Sequence, residues 1–75
     1  MPRLQRVSGT QTIKALERLG FSQVRQRGSH VVLKKSTPEG VIGCVVPLHD
    51  ELAIGTLRGI LRLARVSVED FIENL

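Results

Sequence analysis

Two turn signals, Gly28-Ser29 and Thr37-Pro38-Glu39-Gly40, constrain this chain more than any other feature. They separate three short runs of β-like composition: Phe21 to Arg27, His30 to Ser36, and Val41 to Pro47, the last ended by proline. Two residues beginning with Gly suit a type II′ hairpin turn. That loop pairs Arg27 with His30, Arg25 with Val32 and Gln23 with Lys34 on one face, and Gln26 with Val31 and Val24 with Leu33 on the other. The loop at Thr37–Gly40 pairs Lys35 with Ile42, Leu33 with Cys44 and Val31 with Val46. Both turns lead to one apolar face of Val24, Val31, Leu33, Ile42, Cys44 and Val46. The other face reads Arg25, Arg27, His30 and Lys34, with Val32, Gly43 and Val45. A slip of one residue inverts the faces, so this agreement supports an antiparallel meander.

Helices flank the strands. Ser8-Gly9-Thr10-Gln11 is a capping box; Ile13, Leu16 and Leu19 follow at helical spacing, and Gly20 suits a helix end, which predicts a helix over 8–19. After the connector His49-Asp50-Glu51-Leu52, a second helix is expected over 53–65, with Leu57, Ile60, Leu61 and Ala64 as its apolar stripe. Gly59 inside it costs about 1 kcal/mol relative to Ala, which points to close packing there. Ser67-Val68-Glu69-Asp70 opens a short third helix with Val68, Phe71, Ile72 and Leu75 on its apolar side. The expected fold is α+β, a two-layer sandwich in the order α-β-β-β-α-α, with helices on one face of a three-stranded sheet. Its 75 residues are read as a single domain, 1–75, with only a thin core.

No apolar run approaches the ~20 residues needed to span a bilayer, and no apolar stretch follows the basic N-terminus, so neither a membrane span nor a signal peptide is expected. The single Cys44 cannot form an internal disulfide, which fits a reducing cytoplasm, and it falls on the apolar face. One Cys and two His, His30 and His49, are too few for a structural zinc site; no metal or cofactor is expected. Eleven cations and four acids fall in residues 1–66, a net +7, while the last nine residues hold three acids. A basic body of this kind suits a polyanion, most simply nucleic acid, although the same charge also serves solubility.

Gly28-Ser29-His30, Pro47-x-His49 and Ile54-Gly55-Thr56-Leu57-Arg58-Gly59-Ile60-Leu61 resemble the HicA family of toxin–antitoxin toxins. The most diagnostic run is Arg25-Gln26-Arg27-Gly28-Ser29-His30, and Leu52-Ala53-Ile54-Gly55-Thr56-Leu57-Arg58 is nearly as good. Family members often carry Pro where this chain has Ala53 and Gly where it has Arg65, and many lack the helix after Ser67. The resemblance implies a fold like the double-stranded-RNA-binding domain. It also implies ribosome-independent cleavage of mRNA, inhibition by a HicB antitoxin, and a catalytic role for His30.

That chemistry is reasonable for these residues. RNA supplies its own nucleophile, the 2′-OH, and cleavage needs a base, an acid and cations for the phosphorane. His30 is the candidate acid/base. Arg25, Arg27 and Lys34 share its face as phosphate-binding neighbours; Ser29 in the turn and Arg58 on the second helix are further candidates for RNA contact. His49 follows Pro47, which is opposite His30, but a hydrogen bond fixing the connector is its simpler role. The expected partners are RNA and an antitoxin that covers the basic face, burying Val32 and Val45. Two other readings remain open at this point: a non-catalytic double-stranded-RNA-binding module, and an adaptor that binds only protein. With neither Trp nor Tyr, the sheet has no stacking platform, so RNA binding would be backbone-led and salt-sensitive.

Overall fold

The computed structural model describes residues 3–75; Met1 and Pro2, the start of the basic N-terminus, lie outside the described residues. The elements are α1 (Gly9–Arg18), β1 (Ser22–Arg27), β2 (His30–Thr37), β3 (Gly40–Pro47), α2 (Ile54–Ala64) and α3 (Val68–Glu73), in the expected order. The sheet is an antiparallel meander, β1-β2-β3, and the helices cover one face of it. The extents, 31 × 30 × 18 Å, are those of a slab with room for one helix layer, about 10 Å across, on one sheet. No helix of the described residues is long and apolar enough to cross a membrane.

Local chemistry sets the ends of α1. The Ser8 hydroxyl accepts from the Gln11 amide at 3.0 Å, and the Gln11 side chain accepts from the Ser8 amide at 2.8 Å, a reciprocal capping box. At the other end Gly20 takes φ +102°, and the Gly20 and Phe21 amides donate to the Glu17 and Leu16 carbonyls. Gly9 has a role that the cap did not reveal. A Cβ there would lie 2.0 Å from the Pro47 carbonyl oxygen, and its amide donates to the His49 carbonyl at 2.9 Å. The helix start therefore rests directly on the end of β3.

The register of β2 and β3 is as expected, with His30↔Pro47, Val31↔Val46, Leu33↔Cys44 and Lys35↔Ile42. Only the turn-proximal part of β1 follows the expectation: Arg27↔His30, Gln26↔Val31 and Arg25↔Val32. Beyond it a bulge intervenes, so Gln23 opposes Leu33 and Ser22 opposes Lys34. Val24 is the extra residue. It is 53% exposed and does not join the apolar face with Val31, Leu33, Cys44 and Val46. The cause is cover: the helical layer packs on β2 and β3, and all six residues of β1 are exposed. A valine with no helix above it gains nothing from pointing inward, and the bulge releases it.

The stripe Leu57, Ile60, Leu61 and Ala64 of α2 is buried, as is Phe71 of α3. Gly59, however, is not a close-packing site: a Cβ there would meet nothing within 4 Å. Arg65 closes α2 in the left-handed region at φ 57°, and the Val66 amide donates to the Leu61 carbonyl at 3.0 Å. A side chain in that region costs roughly 1–2 kcal/mol. Gly59→Ala and Arg65→Gly are each expected to raise stability by about 1 kcal/mol, the second after allowing for the extra freedom of glycine in the unfolded chain. Thermal melting of the two variants checks this, and a fall in melting temperature would contradict it.

Candidate functional site

The β1–β2 turn is held at several points. Gly28 has φ +56° and Ser29 is not among the positive-φ residues, the combination that a type II′ turn needs. The Gln26 amide group donates to the Gly28 carbonyl at 3.0 Å. The Leu48 amide donates to the Ser29 carbonyl at 2.6 Å, which ties the turn to the segment leaving β3. His30 is the first residue after this turn. It opens the central strand, with Arg27 paired on one side and Pro47 on the other.

Because side chains alternate across a strand, His30, Val32 and Lys34 face away from Val31 and Leu33, which are buried under the helices. The imidazole is exposed, as are Arg25, Arg27 and Lys34. These four residues occupy the uncovered face, with Ser29 exposed in the adjoining turn. Two other cations are used within the fold: the Arg18 guanidinium donates to the Asn74 carbonyl at 2.7 Å, and the Lys35 ammonium lies 5.9 Å from the Phe21 ring centroid. The cations around His30 therefore make up a surface of their own, and a polyanion can approach it without displacing the helices.

Arg58 is not brought to this face. It lines a pocket in the helical layer with Arg3, Leu4, Ile54, Val68 and Glu69. His49 is exposed, and the connector is fixed by its backbone: its carbonyl accepts from Gly9, while the Leu52 amide donates to the Val7 carbonyl at 2.7 Å. No group of three or more His, Cys, Asp or Glu side chains converges among the described residues. Cys44 is buried in the core, and burial raises its thiol to about 11 from 9.0, so it stays protonated and is a poor nucleophile. One open-face residue escaped the sequence reading. Val41 pairs with Ser36 and is 66% exposed; its alternation with Gly43 and Val45 was the available signal.

Two comparisons with known proteins bear on this geometry. The family described as HicA toxin of bacterial toxin-antitoxin matches residues 9–66, from the start of α1 to just past α2. No curated protein matches the chain. The chain belongs to the HicA toxin family.

Proposed function

We propose that this HicA-family chain is an endoribonuclease toxin that cuts RNA with His30 as general acid/base. The observation that best supports this reading is the exposed imidazole at the head of β2, next to Arg27 and on one face with Arg25 and Lys34. In the proposed reaction, His30 takes the proton of a ribose 2′-OH, the 2′-oxygen attacks the adjacent phosphorus, and the 5′-oxygen leaves with a proton. One imidazole can accept the first proton and return the second, because its ring carries one proton-accepting and one proton-donating nitrogen. The phosphorane carries more negative charge than the diester, and Arg25, Arg27 and Lys34 offset it. Ser29 offers a hydroxyl to phosphate at the turn, and Arg58 offers a separate contact to the RNA backbone from the helical layer. No step calls for a metal ion or an organic cofactor.

In this reading a HicB-type antitoxin blocks the enzyme by covering the same face. Its acidic groups pair with the cations and its apolar groups bury Val32 and Val45, the latter 45% exposed. The setting is the cytoplasm, where mRNA is available. The test is incubation of the purified chain with single-stranded RNA in excess chelator. Fragments ending in 2′,3′-cyclic phosphate are expected, and the same strand 2′-O-methylated throughout should stay intact. If the unmodified RNA also stays intact, the reading fails.

A further inference from the structure

The open face has two halves of different chemistry. Its β1–β2 half carries Arg25, Arg27, His30 and Lys34; its β3 half carries Val41, Gly43, Val45 and Pro47. Val41 and Val45 are both exposed, and Gly43 between them leaves a notch. Crowding does not explain the glycine: a Cβ would meet Leu33 O at 3.6 Å and Lys34 Cγ at 3.7 Å, ordinary contacts. Backbone conformation does not explain it either, because the positive-φ glycines are Gly20, Gly28 and Gly40. The floor of the notch is bare peptide. Its two ends are Val41 and Val45, and Lys34 is its cross-strand neighbour.

The ladder adds a second property. Thr37 and Gly40 close the Pro38-Glu39 turn, and the pairs then alternate between hydrogen-bonded and non-hydrogen-bonded. Counting from that closing pair, Lys34↔Gly43 is non-hydrogen-bonded, so the N–H and C=O of Gly43 point away from β2. β3 is an edge strand, and that direction is open. The notch thus combines apolar ends with one donor and one acceptor at its lip.

We propose that this notch seats an unpaired nucleobase of the bound RNA. The base enters over the β3 edge between Val41 and Val45, tilted so that its polar edge meets the Gly43 N–H and C=O, and its phosphates lie along Lys34 and the arginines. Neighbouring strands are about 4.8 Å apart, so the cationic rows on β2 and β1 are one and two strand spacings away, within reach of a single nucleotide. Duplex RNA cannot use the notch, because pairing occupies the base edge and stacking covers its faces. The aliphatic slot does here what aromatic rings do on other RNA-binding sheets. This inference rests on the RNA-cleaving reading and adds the substrate class, RNA that is unpaired near the cut.

The test uses the full chain and a fluorescein-labelled strand of 2′-O-methyl RNA, which lacks the 2′-OH proton and stays uncut. Anisotropy titrations are run with the strand alone and annealed to its complement. Gly43→Val fills the notch, its Cβ making only ordinary contacts, and a thermal melt checks that it folds. It should bind the single strand about tenfold more weakly than wild type and the duplex equally well. Val45→Thr, of nearly the same shape, should weaken single-strand binding about threefold. Unchanged single-strand affinity in both variants, or equal losses for single strand and duplex, overturns the proposal; the β3 edge is then left to a protein partner, while continued RNA cleavage keeps the nuclease reading intact. Failure of the wild-type chain to bind either RNA overturns both.

Discussion

His30→Ala is expected to slow RNA cleavage by about 10²–10⁴-fold, the range that a positioned acid/base supplies. The protein should remain folded. His30 is exposed on the open face and belongs to no part of the core, so its removal should change stability by no more than about 0.5 kcal/mol. Binding should persist as well, because Arg25, Arg27 and Lys34 are untouched and phosphate contacts dominate affinity. The informative pattern is thus a lost rate with retained affinity. It is read by single-turnover cleavage of a labelled RNA beside an anisotropy titration of an uncuttable analogue. Equal rates for wild type and variant would remove His30 from the mechanism. Loss of rate and affinity in parallel would make it a binding residue only.

Phe71→Ala should destabilise the chain by about 3–5 kcal/mol. Phe71 is fully buried and is the largest such side chain in the core, where it joins Leu16, Leu57 and Leu61. A chain of this length has a total stability of only about 4–11 kcal/mol, so the loss is a large share of it. The effect matters because the family match ends at residue 66, and α3 begins at Val68. An appended helix would lose little on truncation of one side chain, whereas a helix that completes the core would lose much. Urea unfolding separates the two, with Phe71→Leu as the variant that keeps most of the volume. A change below about 1 kcal/mol for Phe71→Ala would mark α3 as an accessory.

Much of this architecture was legible because the sequence signals are local and mutually consistent. The capping box at Ser8 and Gln11, the left-handed Gly20 and the whole β2–β3 register follow from neighbours within a few residues. What escaped depends on contacts distant in sequence. Gly9 looks like an ordinary first-turn residue until the carbonyl of Pro47 is seen 2.0 Å from its missing side chain. Val24 alternates correctly with Gln26, yet nothing in β1 itself says that the helical layer stops short of it. Gly59 misled in the opposite sense, since a glycine inside a helix reads as close approach even where space is open. At the candidate site, His30, Arg25, Arg27 and Lys34 were legible through strand parity. Arg58 was legible as a residue of the second helix, while the pocket it lines with Arg3, Leu4, Ile54, Val68 and Glu69 depends on residues distant in sequence.

A strand with no buried side chain is held by little besides its hydrogen bonds to one neighbour. β1 is such a strand, whereas β2 lies in the middle of the sheet and feeds Val31 and Leu33 into the core. Opening β1 locally costs far less than unfolding the rest, and its amides should exchange with solvent first. Arg25 and Arg27 ride on this loosely anchored element, while the imidazole rides on the most firmly anchored one. In the proposed reaction the grip on the RNA backbone can therefore slacken and re-form from one turnover to the next without moving His30.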